Sequence, residues 1–108
     1  MATNVTTSPA AVRGKIIEAE IKVSVDPARP LPLACALYAI EAADGVWLCA
    51  YYGANRSNFD YLPQKGAEVD EKALGIAFHV REFVSKEEYR PERWQQFVQS
   101  RLLSLSAH

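Results

Sequence analysis

The chain has 108 residues, 12 basic and 13 acidic, and 49% of them are hydrophobic. That length suffices for one domain with its own core, without help from metals or disulfides. The near-neutral charge argues against nucleic acid as the partner, and no stretch approaches the roughly 18 apolar residues of a membrane span.

The N-terminus also lacks the basic and apolar regions of a secretion signal, so a soluble, cytoplasmic protein is expected. The sequons Asn4-Val5-Thr6 and Asn55-Arg56-Ser57 then read as chance matches. Residues 1–13 are Thr, Ser, Ala and Pro with little charge and no aromatic residue. They cannot bury enough surface to offset their ordering entropy, and a disordered tail ahead of a single 14–108 domain is expected.

From Lys15 the pattern alternates. Ile17, Ala19, Ile21, Val23 and Val25 interleave with Glu18, Glu20, Lys22 and Ser24, which predicts a half-buried strand over 15–25. The mixed charges of its wet face suit an edge strand. Three prolines, Pro27, Pro30 and Pro32, then exclude both helix and central strand and leave a stiff connector.

Tyr38 to Tyr52 reads as a hairpin with strands over 34–43 and 46–53. Asp44-Gly45 is expected to supply the positive-φ residues of a two-residue turn. Such a turn sets Ala43 opposite Val46, Ile40 opposite Cys49 and Tyr38 opposite Tyr51. One face then carries Tyr38, Ile40, Trp47, Cys49 and Tyr51; the other carries Leu37, Ala39, Glu41, Val46, Leu48, Ala50 and Tyr52. Only Glu41 interrupts the apolar character of either face, so both need cover. Cys35 and Cys49 point to opposite faces, which precludes a disulfide between them.

Residues 54–73 form the longest irregular stretch, with Phe59, Tyr61 and Leu62 pinning it to the body and one helical turn within Val69–Leu74. A fourth strand is predicted over 75–84, with Ile76, Phe78 and Val80 on one face and Ala77, His79, Arg81 and Phe83 on the other. Ser85-Lys86-Glu87-Glu88 offers a capping box, and a helix follows there or one turn later. On its inner side Trp94, Phe97, Val98, Arg101, Leu102 and Leu105 fall at helical spacing. The expected fold is a two-layer α+β domain of four antiparallel strands with the C-terminal helix on one face.

The chain carries no phosphate-binding glycine loop, nucleophile elbow or metal-spaced Cys/His cluster, and no cofactor or metal is expected. Three functional classes remain. Cys49 and His79 lie on strands that could be neighbours, and as a pair they would make a catalytic thiol if it were activated. Tyr38, Trp47 and Tyr51 could stack single-stranded bases, with His79 and Arg81 near by. The reading that uses the most of the sequence is a protein-interaction or self-association module. One helix covers one face only, and the smaller aliphatic face admits it. The aromatic face, Tyr38, Ile40, Trp47 and Tyr51, is then the expected interface with a protein partner or, in a homodimer, a second copy.

Overall fold

A computed structural model describes residues 11–24, 33–53 and 62–106. In order, these form β1 (Arg13–Ser24), β2 (Leu33–Glu41), β3 (Val46–Gly53), β4 (Glu68–Asp70), α1 (Glu71–Leu74), β5 (Val80–Val84) and α2 (Pro91–Ser106). The strands make one antiparallel sheet in the order β4-β1-β2-β3-β5. The α+β class and the C-terminal helix are as expected, but the sheet has five strands rather than four. The extra one, β4, is three residues long and among the described residues pairs only with Arg13–Lys15. No alternation can be read over so short a run.

The hairpin pairs Glu41 with Val46, Ile40 with Trp47 and Tyr38 with Cys49. The expected register is therefore wrong by two residues, and the connection spans Ala42–Gly45, closed by the Ala42 amide donating to the Gly45 carbonyl at 2.8 Å. A slip of two preserves the side on which each residue lies, so the division of the hairpin into two faces stands. Neither Asp44 nor Gly45 has a positive φ. Gly45 is demanded by space instead: a Cβ there would come within 2.4 Å of the Phe83 ring and 2.6 Å of the Val84 carbonyl.

Strand β1 departs from strict alternation. Its register with β2 shifts between Ile16 and Glu18, a bulge that leaves Ile17 on the helix face while Ile16, Ala19 and Val23 lie on the aromatic face, so the single apolar face expected for Ile17, Ala19 and Val23 is split. Gly14 lies so close to β2 that a Cβ would meet the Glu41 carbonyl at 2.1 Å. The packed body begins earlier than expected, since Val12 is fully buried and β1 starts at Arg13. Residues 1–10, the proline connector, Phe59 and Tyr61 lie outside the described residues.

The helix covers the aliphatic face, as expected. Trp94, Phe97 and Val98 pack with Cys35, Leu37, Ala39, Val46, Leu48 and Ala50. Pro91 starts α2 one turn after the serine box, where the Glu88 amide donates to Ser85 Oγ at 3.2 Å and that hydroxyl donates to Glu88 Oε1.

The predicted strand over 75–84 is shorter than expected. Gly75, with φ +71°, ends α1 in the left-handed region, and only Val80–Val84 enters the sheet. Residues 76–78 instead pass across the aromatic face, so Ile76 and Phe78 join that side while Val80 packs on the helix side. Trp94 is 6% exposed at the centre of the helix seam. Trp94→Ala is expected to lower stability by about 3–5 kcal/mol, measured by denaturant unfolding. A loss under about 1 kcal/mol would show that α2 does not depend on this anchor.

Candidate functional site

The aromatic face is largely roofed by the chain itself. Leu62, Val69 and Phe78 pack with Val12, Ile16, Tyr38, Ile40 and Cys49 in one cluster. Tyr38 and Ile40 have no accessible surface. The Tyr38 hydroxyl donates to the Pro63 carbonyl at 2.8 Å, its ring meets Phe78 edge-on, and burial raises its pKa to about 12. Trp47 and Tyr51 are half-buried. Of the four expected interface residues, two are thus core groups within the chain and two reach the surface.

One carboxylate ties this roof down. Glu71 is 3% exposed. Its Oε1 accepts from the Val12 amide at 3.1 Å, and its Oε2 accepts from the Phe78 amide at 2.6 Å and pairs with the Arg81 guanidinium at 3.1 Å. The Glu71 amide in turn donates to the Val12 carbonyl. A single side chain therefore joins the start of β1, the approach to β5 and β5 itself. Sequence reasoning missed it. The available signal was local: Asp70 caps the Lys72 amide and Gly75 closes the turn, which fixes Glu71 at the head of α1. Buried charges persist only when paired and hydrogen-bonded. Glu71→Ala would orphan two buried amides at roughly 1–3 kcal/mol each, and Glu71→Gln, which keeps one acceptor, should lose less. Equal unfolding midpoints for the two variants would contradict this account of the tie.

Cys49 and His79 share no hydrogen bond among the described residues. Cys49 is fully buried, opposite Tyr38 on β2 and Arg81 on β5. Desolvation raises its thiol pKa strongly, the Glu71 charge adds to the rise, and Arg81 opposes it. His79 is exposed, and its Nδ1 accepts from the Tyr52 amide at 3.2 Å, with the rings of Tyr51 and Tyr52 beside it. Cys35 lies on the helix side, and burial lifts its pKa to about 11 against the pull of Arg101. Both cysteines are free. A buried, protonated thiol is a poor nucleophile. Cys49 should label slowly in the native protein from neutral pH to pH 9 and rapidly in denaturant, with no change on His79→Ala. Fast native labelling that requires His79 would restore the catalytic reading.

Besides Tyr51, the surface of this face keeps a pair of rings that the sequence did not bring together. Trp47 on β3 faces Phe83 on β5, with ring centroids 4.9 Å apart in an edge arrangement. Phe83 is 46% exposed and rests over Gly45. Strand β5 is the last of the sheet, and among the described residues it pairs only with β3. Charges commonly guard such an edge. Here both are paired within the chain, Arg81 with the buried Glu71 on one face and Glu82, its side chain still 42% exposed, with Arg93 of α2 on the other.

On the opposite side of the sheet β4 is three residues long, and the part of β1 that it leaves uncovered carries Glu18, Glu20 and Lys22 around an exposed Ile21. An open cleft of about 720 Å³ near that edge has a rim of mixed charge, Arg13 and Lys15 against Glu41, Glu68 and Asp70, with Arg13 already paired to Asp70.

Among the described residues, no three of His, Cys, Asp and Glu gather where they could hold a metal ion, and no helix is long and apolar enough to cross a membrane. A comparison of the chain with protein-family models, curated proteins and solved structures finds no match.

Proposed function

We propose that the protein acts by binding another protein chain, a partner or a second copy of itself, through the aromatic margin of its sheet. The observation that supports this reading is the half-exposed Phe83 set against Trp47 on an edge strand whose charges are paired within the chain. Aromatic side chains of this kind are enriched in interfaces, where they bury much area at little entropic cost. A pairing edge adds main-chain hydrogen bonds to that affinity. Buried Cys49 and the engaged Nδ1 of His79 give catalysis less support, and the net charge of -1 gives nucleic-acid binding less.

Light scattering across a concentration series is the first test of self-association. The expected result is a concentration-dependent rise in mass that Trp47→Ser abolishes while circular dichroism shows a folded monomer. A strict monomer at high concentration, with Trp47→Ser unfolding the chain, would make these rings core and end the self-association reading. Salt-sensitive binding to single-stranded RNA that Tyr51→Ala removes would move the function to the nucleic-acid class.

A further inference from the structure

We infer that the His79 imidazole is a pH-sensitive clasp at the point where the chain enters the sheet, holding the end of β3 only while its Nδ1 carries no proton. This holds whatever the aromatic margin binds.

The pairing of β3 with β5 runs from Val46 opposite Val84 to Ala50 opposite Val80. One step beyond, the His79 amide still donates to the Ala50 carbonyl at 2.9 Å. There the ladder stops. Residues 76–78 lie across the aromatic face, and the Phe78 amide donates to the buried Glu71 carboxylate.

Strand β3 continues to Gly53, past the end of its neighbour. Backbone groups two residues apart on a strand point to the same side, so the Tyr52 amide faces the β5 side as the Ala50 carbonyl does. It finds its acceptor in a side chain: His79 Nδ1, at 3.2 Å. The imidazole stands in for the carbonyl that a longer β5 would have offered.

A ring nitrogen differs from a carbonyl in one respect. It accepts a hydrogen bond only when unprotonated, and imidazoles change charge between about pH 5 and 8. As acceptor, Nδ1 fixes the neutral ring with its proton on Nε2. A proton taken up at Nδ1 sets two donors against each other, and the ring and the strand end must part.

On β3 the groups that face the ring are the phenols of Tyr51 and Tyr52, with ring centroids at 5.4 and 5.6 Å. Two residues along its own chain, Arg81 is already held by Glu71. Among the described residues no carboxylate forms an ion pair with His79. The imidazolium therefore gains no ionic partner to offset the lost bond.

Ring nitrogen shifts and amide exchange test the clasp in the intact chain, with His108→Ala leaving a single imidazole. At pH 8 the shifts should show an unprotonated Nδ1 and a protonated Nε2. Between pH 8 and pH 5, Tyr52 protection, corrected for the intrinsic rate, should fall roughly fivefold, the effect of about one hydrogen bond. Its midpoint should coincide with the His79 titration, while the Leu48 amide inside β3 stays protected. His79→Asn, whose carbonyl oxygen can occupy the place of Nδ1 and does not titrate, should hold Tyr52 equally at both pH values. His79→Phe, a ring without an acceptor, should give the low protection at both. Tyr52 protection that is unchanged across the His79 titration overturns the inference. So does a neutral ring protonated at Nδ1, or a pH-dependent loss that persists in His79→Asn.

Discussion

Strand β2 imposes the constraint from which the rest of the structure follows. Residues 34–40 have no accessible surface on either side. A strand that is apolar on both faces cannot sit at the margin of a sheet or on its surface; it needs a neighbour along each edge and a layer against each face. The flanking strands β1 and β3 answer the first requirement and α2 answers half of the second. The described residues hold one long helix, and the other face is covered by something less regular.

That second cover is Leu62 through Phe78, a segment whose only regular pieces are β4 and the single turn of α1. Irregular backbone brought against a core carries amides that need acceptors. The Glu71 carboxylate supplies two of those acceptors, one for Phe78 in the cover itself and one for Val12 beside it, and closes the arrangement on Arg81. The cost of burying the charge is offset by three partners converging on it. Burial under this roof raises the thiol pKa of Cys49, and the Glu71 charge adds to the rise.

The cover is incomplete at one margin. It reaches Tyr38 and Ile40 in the middle of the sheet but leaves Phe83, beyond Trp47, half in water. Arg81 and Glu82 are engaged with Glu71 and Arg93, and the ring stays exposed beside them.

Much was legible in the residues alone, for reasons of period. The two faces of the hairpin follow from alternation, and they survive an error of two in the register because two is the period of a strand. The Trp94, Phe97 and Val98 stripe follows from helical spacing, and its docking on the aliphatic face follows from side-chain size. The bulge at Ile16–Glu18, the three residues of β4 and the conversion of 75–79 from strand to crossing segment were not legible, because each depends on contacts between residues far apart in sequence. Gly45 was recognisable as a turn residue but for the wrong cause: the Phe83 ring arriving from β5, not backbone conformation, demands the missing Cβ. Local patterning therefore determined which side chains face inward. Only the tertiary structure decided that the aromatic face is roofed by Leu62, Val69 and Phe78, that Glu71 holds the roof, and that Trp47 and Phe83 meet at the edge, because these outcomes rest on long-range packing that no short-range period encodes.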